Sequence, residues 1–140
     1  APSYGPEKWR QLAQAVAVVY PCLDEPFGRV PFETILSGGL PIVPQESGGA
    51  EYLKNRMADA IYPTRSLEGL CDRLFWAESL SPPTRAQVIS EARDWVIQEL
   101  EWKKISKRVE DTYWEAVSQA ASKVSPSESL GESSELLLNE

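Results

Sequence analysis

Apolar positions change their period several times along the chain, and each change predicts an element. Ala15 to Tyr20 (AVAVVY) is an unbroken apolar run of six, rich in Val. Such a run predicts a parallel strand buried on both faces. Before it, Glu7 to Ala13 read as a short helix, with Pro6 near its first position. Pro21 to Pro26 is bounded by two prolines and reads as a loop. From Phe27 to Ser37 the pattern turns helical, with Val30, Phe32, Ile35 and Leu36 as apolar positions and Gly38-Gly39 as the stop. Leu40 to Val43 is a second strand, in which Pro41 suits the first position better than the middle. Gln45 to Gly49 is a polar loop, Ala50 to Arg56 a brief helix, and Ala60 to Tyr62 a third strand.

The second half of the chain is helical. Ser66 can cap a helix over Leu67 to Ser79, whose spacing puts Leu67, Leu70, Cys71, Leu74 and Phe75 on one face. Ser81-Pro82-Pro83 ends that helix and starts the next, because proline is tolerated in a first turn. The next helix runs to about Leu100. A last one carries Trp102, Ile105, Val109, Tyr113 and Val117 along one stripe. From Ser122 to Glu140 the composition shifts to Ser and Glu with too little apolar content to fold alone, and a disordered tail is expected. The expected division is a domain over 1–121 and a tail over 122–140. Strand, loop, helix, strand, helix, strand is the rhythm of a doubly wound α/β sheet. Three short strands make a partial Rossmann-like parallel sheet with flanking helices.

Composition narrows the function classes. The 140 residues carry 14 Lys or Arg against 21 Asp or Glu, a formal charge of -7. That balance argues against broad binding of nucleic acid or anionic membranes, which needs clustered Lys and Arg. No stretch approaches the roughly 20 apolar residues of a membrane span. The chain has no His, so it cannot by itself supply a Ser-His-Asp triad or a His-ligated zinc. Cys22 and Cys71 read as reduced thiols of a cytosolic protein rather than as a disulfide framework.

In parallel α/β sheets, ligands sit beyond the carboxyl ends of the strands. That rule points to the loops Pro21 to Gly28 and Pro44 to Gly49. The first holds Glu25-Pro26-Phe27-Gly28-Arg29-Val30-Pro31-Phe32-Glu33, two carboxylates eight positions apart around a Phe-Gly pair. A helix starting near Gly28 presents free backbone N–H groups that suit an anion such as a diphosphate. Carboxylates accept hydrogen bonds from vicinal hydroxyls, which suits a sugar or a ribose. Glu25 in the loop and Glu33 a turn or more into the helix can border one pocket. The spacing alone equally fits a charge at a helix terminus and a solvated residue. Arg29 likewise fits either a diphosphate contact or a solvent-facing side chain.

The segment AVAVVYPCLDEPFGRVPFETILSGGLPIVPQESGGAEYL resembles the nucleotide-sugar-binding half of GT-B glycosyltransferases, closest to the retaining family 4 group. It shares the strand, the proline-containing loop, the E-x7-E motif at Glu25 and Glu33, the GGLP turn and the SGG loop before a short helix. The later helices are similar too, so the resemblance spans about residues 7–117. It implies the second half of a GT-B C-terminal domain, and a hexosyltransferase that moves a sugar from a nucleotide-sugar donor with retention. Glu25 would be the catalytic-site carboxylate that holds the donor sugar. Glu33 would hold the ribose. Phe27, Gly28 and Arg29 would face sugar and diphosphate through their amides, and Val30 would lie near the nucleotide. No metal and no resident cofactor are implied.

The resemblance also implies parts outside this chain: the Arg and Lys that grip the diphosphate, and an N-terminal domain for a sugar, lipid or small-molecule acceptor. A fragment of a longer protein, inactive alone, is therefore the expectation. The implied location is cytoplasmic, with peripheral membrane contact through that other domain. Arg29 stands where the family commonly has an aliphatic residue, and the SGGAE segment is one residue shorter than the usual form. Two rival readings are a nucleotide-sugar epimerase-like enzyme and a non-catalytic nucleotide-sugar-binding or protein-interaction module.

Overall fold

The computed structural model describes residues 5–123. These divide after Glu101 into two units. The first contains α1 (Pro6–Gln14), β1 (Val18–Val19), α2 (Arg29–Leu36), β2 (Pro41–Pro44) and α3 (Gly48–Leu53). A 3-10 turn over Ala58–Ala60 then leads into β3 (Ile61–Tyr62), α4 (Leu67–Ser79) and α5 (Pro82–Glu99). The second unit is α6 (Trp102–Lys123). Ser122 and Lys123 continue α6. The rest of the Ser- and Glu-rich segment expected to be disordered lies outside the described residues.

The fold is α/β, with a three-stranded parallel sheet in the order β1-β2-β3 flanked by helices. In register, Val18 faces Pro41 and Val19 faces Ile42, while Val43 faces Ile61 and Pro44 faces Tyr62. All four residues of β2 are buried. Ile42 and Val43 point to opposite faces of the sheet, and both are fully buried. Helices therefore cover both faces of β2. α2 packs on β2 and against α5, while α4 packs on β3 and β2. The shared core includes Phe32, Ile35, Leu40, Leu53, Tyr62, Ala77, Ile89 and Val96. Arg85 of α5 holds the helices together from the side, donating to the Ala15 carbonyl at 3.0 Å across seventy residues of sequence.

Helix boundaries follow local chemistry. Ser66 accepts the Gly69 N–H at the start of α4, and Ser81 does the same for Thr84 at the start of α5. Gly38, at φ +87°, turns the chain out of α2. Pro41 opens β2, where a missing N–H is tolerated.

Two expectations are corrected. The AVAVVY run is not a six-residue strand buried on both faces. Only Val18 and Val19 form the ladder, and both are half-buried. The reason is position: β1 is an edge strand with one neighbour, whereas an apolar run reads the same at an edge or a centre. The buried face of α4 is also rotated from the expected one. Leu67 and Phe75 are 76% and 67% exposed, while Gly69 and Ala77 are buried and Leu70, Trp76 and Leu80 pack on the core. Small residues decide this. A Cβ at Gly69 would sit 2.7 Å from the Pro63 ring and 3.1 Å from the Ser66 hydroxyl, so the helix seats on the side where nothing keeps it away.

Replacing Gly69 with Ala should therefore cost about 1–3 kcal/mol, the usual range for overpacking. Leu67→Ala and Phe75→Ala should each stay within about 0.5 kcal/mol, as exposed sites do. Urea unfolding of the three variants checks the face directly. A large loss in Phe75→Ala with none in Gly69→Ala would show the opposite orientation.

Candidate functional site

The loops after β1 and β2 meet because one residue between them has no side chain. Gly48 starts α3, and a Cβ there would lie 1.8 Å from the Pro26 carbonyl oxygen. The Gly48 N–H donates to the Glu25 carbonyl at 3.3 Å. Ser47 caps the same helix: its hydroxyl accepts the Ala50 N–H at 3.2 Å and donates to the Pro44 carbonyl at 2.8 Å. The Glu46 N–H donates to the Thr64 hydroxyl at 3.1 Å, which ties this loop to the one after β3. The S-G-G sequence is thus a packing device as well as a turn, and the start of α3 is occupied by protein groups.

Between the joined loops and α3 lies an open cleft of about 790 Å³. It sits at the carboxyl ends of β1 and β2, where the topology directs ligands. Leu23 to Pro26, Gln45 to Gly48, Ala50 and Glu51 of α3, and Lys54 just after that helix line it, with Ala58 and Ile61 completing the wall. Four of these carry carboxylates, Asp24, Glu25, Glu46 and Glu51, against one basic residue, Lys54. The wall is therefore rich in hydrogen-bond acceptors and suits ligand hydroxyls better than it suits a free anion.

The expected site residues separate into three groups. Glu25 lines the cleft, and no hydrogen bond or ion pair among the described residues engages its carboxylate. Gly28 is buried at φ +70° as the residue before α2, with no side-chain cap on that helix. A Cβ there would meet the Tyr20 ring at 3.1 Å and Glu25 Cγ at 3.3 Å, so glycine is needed for both backbone and space. Arg29 is exposed in the first turn. Phe27 and Val30 are half-buried. The Phe27 ring stacks on Phe32 at 4.7 Å and meets the edge of Tyr52 at 5.1 Å, so it serves as an anchor for the loop. Val30 contributes its carbonyl to the Thr34 hydroxyl.

Glu33 stands apart from the cleft. It lies one turn into α2, and its carboxylate accepts from Lys8 of α1 at 2.6 Å. Glu25 and Glu33 thus do not border one pocket in this structure. The pairing partner lies twenty-five residues upstream, where sequence spacing carries no signal.

Tyr20, Ser47, Glu51, Tyr52 and Lys54 were not among the residues expected at the site. A Ser before Gly-Gly at a helix start is a capping signal that points to Ser47. Tyr20 ends the apolar run and is legible only as part of it. Partial burial lifts its phenol above the usual tyrosine range, and the neighbouring Cys22 and Glu25 act in the same direction. Cys22 and Cys71 are free and half-buried. Among the described residues no group of three or more potential ligands could hold a metal ion. No described helix is long and apolar enough to cross a membrane.

No family model matches the chain, and no curated protein or solved structure matches it either. The residues of the cleft therefore carry any functional reading.

Two measurements probe this architecture. Gly48→Ala should destabilise the chain by at least about 2 kcal/mol because backbone, rather than a flexible side chain, blocks the methyl group, whereas Ser47→Ala should cost about 1 kcal/mol as a lost cap. Equal stability of wild type and Gly48→Ala in urea would mean that the two loops do not touch. The tyrosines set an alkaline limit. Tyr20 and Tyr62 both have folded-state values raised above the ordinary 10.0, with burial the largest cause in each. A raised value means that the unfolded chain gives up the proton first. Stability should therefore hold below about pH 10 and fall as pH rises beyond it, and Tyr20→Phe and Tyr62→Phe should each flatten that fall.

Proposed function

We propose that this chain is the C-terminal, donor-binding part of a GT-B retaining glycosyltransferase, cytoplasmic, that takes a nucleotide-activated sugar as substrate and needs no resident cofactor. The observation that carries the reading is the Glu25 carboxylate, unpaired on the wall of a cleft at the carboxyl ends of two parallel strands, three residues before an uncapped helix start. In this arrangement the acceptor-rich wall would hold sugar hydroxyls. The amides of Gly28, Arg29 and Val30 would face the diphosphate, and the Arg29 guanidinium would add a positive charge. Pro31 has no N–H, so these amides are the donors that the first turn has to offer. Transfer itself would need an acceptor domain and the diphosphate-gripping Arg and Lys that the motif resemblance puts upstream.

The Lys8–Glu33 ion pair favours a second reading. The carboxylate that would hold the ribose is already engaged, as suits a non-catalytic nucleotide-sugar-binding module. Titration of the 140-residue chain with nucleoside diphosphate sugars tests both. Saturable binding is expected, weakened at least about tenfold, or about 1.4 kcal/mol, by Glu25→Ala. A similar loss in Glu33→Ala supports the transferase assignment of the ribose contact. Unchanged affinity in Glu33→Ala with a loss in Glu25→Ala supports the second reading. No binding of any such sugar, or binding indifferent to Glu25, overturns both.

A further inference from the structure

Tyr52 belongs to α3 but does not line the cleft, yet its ring joins three parts of the site. It meets the Phe27 ring edge-on at 5.1 Å and the Phe32 ring edge-on at 5.9 Å. Phe27 in turn stacks on Phe32 at 4.7 Å. The three rings therefore link the loop after β1, α2 and α3. Stacked and edge-on pairs attract beyond the apolar area they bury, and they favour particular angles between rings. Gly48 and Tyr52 are four positions apart in α3, so they share a face of that helix. They hold consecutive residues of the loop: Gly48 abuts the Pro26 carbonyl, and Tyr52 abuts the Phe27 ring. Glu25 immediately precedes this pair. Its carbonyl accepts the Gly48 N–H at 3.3 Å, and its Cγ lies 3.3 Å from the place of a Cβ on Gly28. Pro26 confines the backbone between the two anchors.

We infer that Tyr52 is a positioning residue of the cleft: its ring clamps Phe27 to α3 and so holds the Glu25 carboxylate where a donor sugar would bind. This rests on the reading of the cleft as a nucleotide-sugar site. A binding group has to be held within about 0.5 Å of its productive place, and Glu25 lies on a loop outside every helix and strand. Without the Tyr52 ring, Phe27 keeps one of its two ring partners and gains room on the α3 side. The Gly48 contact is then left to hold the Glu25 segment against α3. No hydrogen bond among the described residues engages the Tyr52 hydroxyl, so the ring carries the role and Tyr52→Phe should preserve it.

The test compares Tyr52→Ala with Tyr52→Phe in the 140-residue chain. Two amides report separately on the loop and on the helix. The Gly48 amide lies in the first turn of α3, where a partner within the helix is lacking, and its bond goes to Glu25. The Lys54 amide donates to the Ala50 carbonyl at 3.0 Å and reports on α3 itself. In hydrogen exchange, Gly48 should exchange at least about threefold faster in Tyr52→Ala, in keeping with the loss of an edge-on ring pair. Lys54 should be unchanged, and Tyr52→Phe should match wild type at both amides. Titration with nucleoside diphosphate sugars, UDP-glucose and GDP-mannose among them, should show at least about a threefold loss of affinity in Tyr52→Ala as preorganisation is lost. Tyr52→Phe should show none. Unchanged exchange at Gly48 overturns the inference. So does faster exchange at both amides, which would make Tyr52 a support of the helix, or an equal loss of affinity in Tyr52→Phe, which would put the hydroxyl on the ligand. Binding weakened by Glu25→Ala but not by Tyr52→Ala overturns the inference and leaves the proposed function standing. No binding of any such sugar by wild type overturns both.

Discussion

Every pairing in the sheet passes through β2, a strand of four residues of which two are prolines. It is the strand with a neighbour on each side, and its backbone groups alternate between them. The Ile42 carbonyl accepts from Tyr20, and the Leu40 carbonyl from Val18, on the β1 side. The Gln45 N–H donates to Tyr62 on the β3 side. Pro44 has the parity that faces β1 but offers no N–H, so that ladder cannot extend past Tyr20. The chain leaves the sheet at Pro21, and the crevice opens there. Burial on both faces anchors the strand, and its prolines set its length.

The cleft depends on a second constraint, the close approach of α3 to the preceding loop at Gly48. That contact puts Glu25 on the same cleft wall as Glu46 and Glu51, a wall rich in acceptors. It also spends the start of α3 on protein partners. The start of α2 has no side-chain cap, so the two helix termini that border the loops differ: one is fastened by a serine cap and the other is not.

Much of this was legible in local sequence. Ser66 and Ser81 announce their helices, the glycines at 38 and 39 end α2, and three short apolar runs alternate with helical patterns as a parallel sheet requires. The features that escaped are those set by distant partners. AVAVVY reads as a buried strand because its composition does not reveal that β1 has one neighbour. The stripe from Leu67 to Phe75 has ideal helical spacing, yet Gly69 against Pro63 decides which side of α4 turns inward. The E-x7-E spacing is consistent with one pocket until Lys8, twenty-five residues away, claims Glu33. Gly48 looks like a loop glycine, and only the Pro26 carbonyl shows that it is a contact surface. Local chemistry sets boundaries, whereas facing and pairing are settled by what arrives from elsewhere in the chain.

The prolines of the stretch that carries the cleft's loops have a consequence for what a ligand would encounter. Pro21, Pro26, Pro31, Pro41 and Pro44 are five of the eleven in the chain, gathered into twenty-four residues. Each has its φ confined before folding begins, so the unfolded chain has less freedom to lose in this stretch than a loop of ordinary residues would. The same confinement limits how far the rim can wander once folded. A molecule entering between the two loops would meet a frame that is already ordered, and little of its binding energy would go into stiffening the walls.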